Sequence, residues 1–238
     1  MSIHVQTPQS PLRVAVTGGT SGLGLALVRA FVRRGAKVAF VARTASLVAA
    51  VATETGAVGI VGDVARKDDI HRVALQVTAS LGGLDVLINN ASDLGPVPLA
   101  LLADTDCEDF ERALQTNLLG PFRLSKALLG ALAGAAREGR GGVIVNISSD
   151  AAVTPYETWG TYGASKAALH HLSHIWDAEL AGEGVRVLSL DPGDMDTPMH
   201  AAAIPGADRS TLQRPEDAAE GVIAATLSAL PAPERVSP

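Results

Sequence analysis

With Cys107 as its only cysteine, this chain cannot form an internal disulfide, so nothing in it requires an oxidising compartment. Aromatic side chains make up only 3% of the residues, which leaves Ala, Val and Leu to fill the core. Long apolar runs are missing too. The longest, around residues 127–136, falls well short of the roughly 20 residues that a membrane-spanning helix needs. The opening stretch, Met1 to Pro11, has neither the basic start nor the apolar run of a signal peptide. Cytoplasmic residence, away from membranes, is therefore the expectation. Basic charge is in deficit, with 19 Lys and Arg against 25 Asp and Glu and a formal net charge of -6. No Lys/Arg cluster offers a face for nucleic-acid phosphates. His170, His171 and His174 lack both the Glu of a His-Glu-x-x-His arrangement and an evident third ligand, so no metal site is expected.

What is present is globular: 47% of residues are hydrophobic and 18% charged. A chain of this length can bury one large core. A single domain over residues 12–238, after a leader of residues 1–11, is expected. Short apolar runs at 12–16, 37–43, 58–63, 84–89, 142–148 and 185–191 read as strands. Between them lie helical patterns at about 22–34 and 67–81, a weaker Ala-rich one after the second strand, and a longer one at 161–180. Thr105-Asp106-Cys107-Glu108 has capping-box spacing and opens a long helix towards Arg137. The acidic cluster from Asp104 to Glu111 then sits where it stabilises the helix dipole. Pro215 takes the first-turn position of a final helix.

Continuous apolar strands separated by helices imply a parallel sheet covered on both faces. The architecture expected is α/β, a Rossmann-type doubly wound parallel sheet with strand order 3-2-1-4-5-6 and its last strand short or missing. One long gap without clear structure, residues 197–214, reads as part of a substrate lid at about 194–214.

Between the first strand and the first helix stands Thr-Gly-Gly-Thr-Ser-Gly-Leu-Gly, residues 17–24. Gly18, Gly22 and Gly24 let backbone N–H groups approach a pyrophosphate that a Cβ would keep away, and the following helix aims its positive end at the same charge. Downstream, Tyr162 and Lys166 lie four apart on a helix and share one face. A free Tyr titrates near 10, and a neighbouring ammonium is expected to lower that value, preparing Tyr162 for proton transfer.

Taken in order, Thr-Gly-x-x-x-Gly-x-Gly, Asn89-Asn90-Ala91, Asn117, Ser149, Tyr162-x-x-x-Lys166 and Pro192-Gly193-x-x-x-Thr197 resemble the short-chain dehydrogenase/reductase family in its compact, single-domain branch. The resemblance runs from about Leu12 to Ser228. It implies that Gly18, Thr20, Ser21, Gly22, Leu23 and Gly24 line the phosphate turn, and that Asp63 and Val64 contact the adenine. Asn90, Ala91, Pro192, Gly193 and Thr197 complete the cofactor site, and Lys166 holds the nicotinamide ribose. It further implies that Ser149 holds the substrate oxygen while Asn117, an indifferent helix former, holds a water near Lys166 and completes a proton relay. The acidic position of the family's NAD-type members falls on Ala42, and Arg43 with Thr44 follows. That exchange favours a 2′-phosphate over a 2′-hydroxyl, so NADP(H) is expected, with NAD(H) possible.

The activity implied is NADPH-dependent reduction of a ketone or aldehyde, with Tyr162 as general acid. The alternatives are an NAD-dependent alcohol dehydrogenase on the same scaffold and a non-catalytic NADP(H)-binding sensor. The lid and the walls near Asp93, Leu94, Trp159 and Met199 are expected to choose the substrate. Ser92 stands where the family usually has Gly, and Asp191 where Asn is frequent. The tail after Ser228 lacks the family's usual Gly-containing last strand. A homodimer or homotetramer through the helices starting near 106 and 161 is the expected assembly.

Overall fold

A computed structural model describes residues 10–231, so the leader up to residue 9 and the tail from residue 232 lie outside the described residues. The apolar runs form strands β1 (Arg13–Thr17), β2 (Lys37–Ala42), β3 (Val58–Val61), β4 (Val86–Asn89), β5 (Gly142–Ile147) and β6 (Val185–Leu190). All pair in parallel, in the order β3-β2-β1-β4-β5-β6. Such strands are buried on both faces, and the helices supply the cover. On one face α1 (Gly22–Arg33), α2 (Ala45–Thr55) and α8 (Pro215–Ala229) pack Leu27, Phe31, Val48 and Ile223 against Val14, Val16 and Phe40. On the other, α3 (Lys67–Leu81), α5 (Gly120–Arg137) and α6 (Gly160–Leu180) pack Val77, Leu128 and Leu180 against Ala15, Leu87 and Ile144. Strand order reverses between β1 and β4, which opens a crevice beyond the carboxyl ends of the strands.

The opposite end of the sheet is tied by a buried charge. Asp85, whose side chain is fully inaccessible, accepts from the backbone N of Arg13 at 2.8 Å and from its Nη2 at 2.6 Å. Arg140 donates to the same carboxylate through Nε at 3.0 Å and Nη2 at 2.7 Å. Burial pushes Asp85 upward, but the hydrogen bonds from Arg140 and Arg13 outweigh it and hold the carboxyl below its ordinary range. Nearer the crevice, Asn89 Nδ2 donates to Asn146 Oδ1 at 2.8 Å and Ser125 Oγ at 3.0 Å, and Asn146 Nδ2 donates to Ser173 Oγ at 2.9 Å. This satisfied polar ladder fixes β4 and β5 to α5 and α6.

Three local expectations are corrected. The long helix from 106 is interrupted: α4 (Cys107–Leu114) is followed by a π-helical turn, Gln115–Leu119, before α5 begins. Pro121 lacks the N–H that an uninterrupted ladder requires, and the widened turn absorbs the missing bond. The capping box does not form, because Asp106 is the N-cap without a side-chain bond and Thr105 Oγ1 donates instead to the Leu101 carbonyl at 2.9 Å. Residues 197–214 are also less irregular than their sequence suggests. They hold α7 (Pro198–Ala203), capped by Thr197 Oγ1 accepting from the His200 N–H, and a turn at Arg209–Thr211. A bridge between Met195 and Gln213 and a bidentate Arg209–Asp196 pair close the segment at its base. A six-residue helix is too short to print a 3.6-residue period.

Candidate active site

The turn after β1 is built by close approach. Gly18 takes φ +70, and its N–H donates to the Val41 carbonyl at 2.8 Å. A Cβ at Gly24 would lie 2.1 Å from the Gly18 carbonyl oxygen and 2.5 Å from Asn90 Nδ2, so only glycine fits there. Asn90 pins the turn by donating from Nδ2 to the Thr17 carbonyl at 2.9 Å, while Thr17 Oγ1 accepts from the N–H groups of Asn90 and Ala91. Ser21 is the N-cap of α1 but makes no side-chain cap bond. The first-turn N–H groups therefore remain open, the condition for seating a phosphate at a helix N-terminus.

This turn forms one end of a cavity of about 740 Å³ at the strands' carboxyl ends. Into it the structure brings Gly18, Thr20, Ser21, Gly22, Leu23, Gly24, Arg43, Thr44, Asp63, Val64, Asn90, Ala91, Pro192, Gly193 and Thr197, together with Ser149, Tyr162 and Lys166. Arg43 is exposed just beyond β2 and makes no ion pair among the described residues, and no carboxylate stands at Ala42. Asp63 Oδ1 accepts from the Ala65 N–H at 3.0 Å, so part of its carboxylate is spent on the local turn. The donor set fits a dinucleotide: open helix N–H groups at one end and a glycine surface beside them.

Asn117 is the exception, being fully buried in the π-helical turn and not part of the cavity wall. Its Oδ1 accepts from the Asp93 N–H at 2.7 Å and from Ser92 Oγ at 3.2 Å, and its Nδ2 donates to the Asp93 carbonyl at 2.7 Å and Ser165 Oγ at 2.8 Å. Asp93 itself does not line the cavity, although its neighbours Ser92 and Leu94 do. Its carboxylate accepts from the Gly95 N–H and pairs with Arg112, directed by the loop's own bonding needs. The other expected walls are present. Leu94, Trp159, Met199 and Ala203 pack around Tyr162, and the Trp159 ring meets that of Tyr162 edge-on at 5.6 Å.

At the centre, Lys166 Nζ donates to the Ile147 carbonyl at 2.8 Å and lies 5.4 Å from the Tyr162 ring centroid. The expected lowering of the Tyr162 value is not what this structure holds. Burial pushes Tyr162 up to about 12, only partly opposed by hydrogen bonding from Ser149 and Ser92, and Asp191 and Asp150 push it further the same way. Burial also brings Lys166 down to about 8, with Asp191 acting against the shift. The cation meant to favour the phenolate is thus itself desolvated and occupied by a carbonyl. Ser149 Oγ donates to Asp150 Oδ1 at 3.0 Å and accepts from the Ala151 N–H. Asp150 Oδ2 accepts from Tyr156 OH at 2.6 Å, and this bond, ahead of the others, holds Asp150 below its ordinary range.

Among the cavity residues to which the sequence assigned no role are Asp150 and the hydroxyl of Ser92. Only the adjacency of Asp150 to Ser149 and the unusual Ser after Asn-Asn-Ala signalled them. Of the three histidines, His170 Nδ1 meets Ser189 Oγ at 2.9 Å and its Nε2 meets that of His174 at 3.2 Å. Among the described residues no group of three His, Cys, Asp or Glu is placed to hold a metal ion.

Comparison with known proteins agrees with this geometry. A profile described as short chain dehydrogenase matches residues 13–207. The chain is 34% identical over 227 residues to L-fucose dehydrogenase of Mus musculus, covering 94% of this chain and 78% of that protein. It is 34% identical over 187 residues to serine 3-dehydrogenase of Agrobacterium fabrum, covering 77% of this chain and 72% of that one. Among solved structures, a 3-ketoacyl-(acyl-carrier-protein) reductase from Brucella melitensis complexed with NADH superposes with a TM-score of 0.83 at 26% identity, over 91% of this chain and 90% of that one. A short chain dehydrogenase from Burkholderia cenocepacia in complex with NADP gives 0.80 at 28% identity, over 90% of both chains.

Proposed function

Because this chain belongs to the short chain dehydrogenase family of oxidoreductases, we propose that it reduces a ketone or aldehyde to an alcohol with NADPH. The observation that carries the reading is the convergence of Tyr162, Lys166 and Ser149 on the same cavity as the open N-terminus of α1. When bound, the nicotinamide supplies the hydride. The first-turn N–H groups of α1 hold the pyrophosphate, Asp63 and Val64 border the adenine, and Lys166 orients the nicotinamide ribose. Tyr162 donates its phenolic proton to the substrate oxygen. A phenol held near 12 stays protonated through the neutral range, which suits a donor to an oxygen becoming alkoxide-like. Ser149 turns its hydroxyl from Asp150 to the same oxygen and stabilises the charge that develops there. Asn117, whose side chain is taken up by Ser92, Asp93 and Ser165, serves as the anchor beneath these groups. Residues 194–214 serve as the lid, with Met199 and Ile204 facing the cavity. Cytoplasmic residence belongs to the same reading.

Arg43 carries the preference for the phosphorylated cofactor. Arg43→Ala should weaken NADPH binding by about ten- to a hundredfold, the value of a hydrogen bond to a charged group, and leave NADH binding nearly unchanged. Fluorescence titration with both cofactors checks this, and equal loss for both would remove Arg43 from the site. A homodimer or homotetramer through α4, α5 and α6 is part of the proposal. Phe122 and Trp176 stack at 5.3 Å on α5 and α6, and Ile175 is exposed beside them. A chain that sediments as a monomer contradicts that part.

A further inference from the structure

Around Tyr162 the cavity wall is apolar. Leu94, Ala151, Trp159, Met199 and Ala203 pack in one cluster with Tyr162, and the exposed Ile204 lines the same cavity. The charged groups in this part of the wall are carboxylates, on Asp150, Asp191 and Asp194. None of the three belongs to an ion pair among the described residues.

Asp150 stands next to the chemistry. It accepts from Ser149 Oγ at 3.0 Å and from Tyr156 OH at 2.6 Å. Both donors are neutral hydroxyls, so they favour the ionised carboxylate without cancelling its charge. Asp191 follows Leu190, the last residue of β6, whose carbonyl accepts from the Ser148 N–H at 2.7 Å. Asp191 and Ser149 therefore leave the sheet side by side. Asp191 Oδ1 takes only the Gly193 N–H, at 2.9 Å, and Asp194 is exposed two residues beyond Pro192.

Positive charge is scarce here. Among the described residues, Arg43, Lys166 and His200 are the wall side chains able to carry it. Arg43 follows β2, three strand positions from β5 and so roughly 14 Å away across the sheet. Lys166 is only 2% exposed and gives one N–H to the Ile147 carbonyl. Its other two are left for Tyr162 and, in the function proposed above, for the nicotinamide ribose.

We propose that the substrate is an uncharged carbonyl compound with an apolar alkyl or aryl body, and that Asp150 is a specificity-determining residue that turns anionic carbonyl compounds away. The body lies against Leu94, Trp159 and Met199 while the carbonyl oxygen meets Tyr162 and Ser149. A carboxylate or phosphate on that body would enter a wall of negative charge. Like charges about 6 Å apart near a protein surface repel enough to cost about tenfold or more in binding, and salt screens the effect.

This inference rests on the reduction proposed above and names its substrate class. The test is kcat/KM for NADPH-dependent reduction of 4-ethylacetophenone, 4-acetylbenzamide and 4-acetylbenzoate, three ketones of nearly one shape. Assays run in low salt at about pH 7.5, about a unit above the ordinary imidazole value. The ethyl ketone should be best, and the benzoate about tenfold or more below the benzamide, its neutral isostere. The alkyl pair 2-hexanone and levulinate should show the same order if the cavity refuses the aryl ring. Asp150→Asn keeps an acceptor for Ser149 and Tyr156, and it should narrow the neutral-to-anion gap by about threefold or more. Asp194→Asn, at an exposed position, and added salt should narrow it in the same direction. Reading the gap as a ratio cancels any general change in turnover. Anions reduced as well as their neutral partners by the wild type, or a gap that neither substitution moves, overturns the inference and leaves the reduction standing. No NADPH oxidation with any ketone or aldehyde would instead overturn the reduction itself.

Discussion

Tyr162→Phe should lower kcat for carbonyl reduction by about a thousandfold, within the range that a positioned general acid contributes. The substitution removes one oxygen and nothing else of consequence. Tyr162 is only 8% exposed, and its ring packs against Trp159, Leu94 and Ala203. Phe keeps those contacts, so the fold and the cavity wall should persist. No other group takes over the proton. Lys166 Nζ is turned to the Ile147 carbonyl, and the Ser149 hydroxyl is far too weak an acid to replace a phenol. Fluorescence titration should show NADPH bound within about twofold of the wild type, since the phosphate turn lies at the other end of the cavity. A variant that kept most of its turnover would remove Tyr162 from the chemistry.

The largest structural loss is expected from Asp85→Asn. The carboxylate is inaccessible to water, and the side chains of Arg13 and Arg140 are only 14% and 23% exposed. Removing its charge leaves two partly buried guanidinium groups with no carboxylate between them, a loss of about 3–5 kcal/mol. For a chain of this size the melting temperature should fall by roughly 10 °C. The pH dependence has a definite sign. The folded Asp85 titrates below its ordinary range because Arg140 and Arg13 outweigh the burial that pushes it up. Its contribution is therefore complete above the ordinary carboxylate value and fades as pH falls through the folded one. Urea unfolding at neutral and acid pH checks this: the gap between wild type and variant should narrow in acid. A gap that stayed constant, or a variant as stable as the wild type at neutral pH, would contradict it.

Much of the fold was legible because its signals are local. Strands such as Val14-Ala15-Val16 are continuous runs, α3 carries a clear period from Lys67 to Leu81, and glycines stand where the turn after β1 needs them. The candidate site was legible to the same depth, since Tyr162 and Lys166 share a helix face and Ser149 lies just beyond β5. What stayed hidden depends on residues distant in the chain. Asp85 meets Arg13 and Arg140 only because β1, β4 and β5 start side by side. The π-helical turn at 115–119 was signalled only by Asn117, an indifferent helix former, and by Pro121 within an otherwise helical pattern. The rise in Tyr162 was invisible because a sequence shows the lysine four residues away but not the burial that outweighs it. Ser92 was noticed as a departure, yet its partner Asn117 is set by packing and not by spacing.

This cavity is expected to move hydride from NADPH to a carbonyl carbon. That expectation is tested most directly by mixing the purified chain with NADPH and a panel of ketones and aldehydes, following nicotinamide absorbance and identifying the product. The account predicts NADPH oxidation that depends on the carbonyl, yields the matching alcohol in equal amount, and runs faster than with NADH at equal concentration. Tight binding of NADPH with no carbonyl reduced across a broad panel would contradict it and point to a protein that senses the dinucleotide.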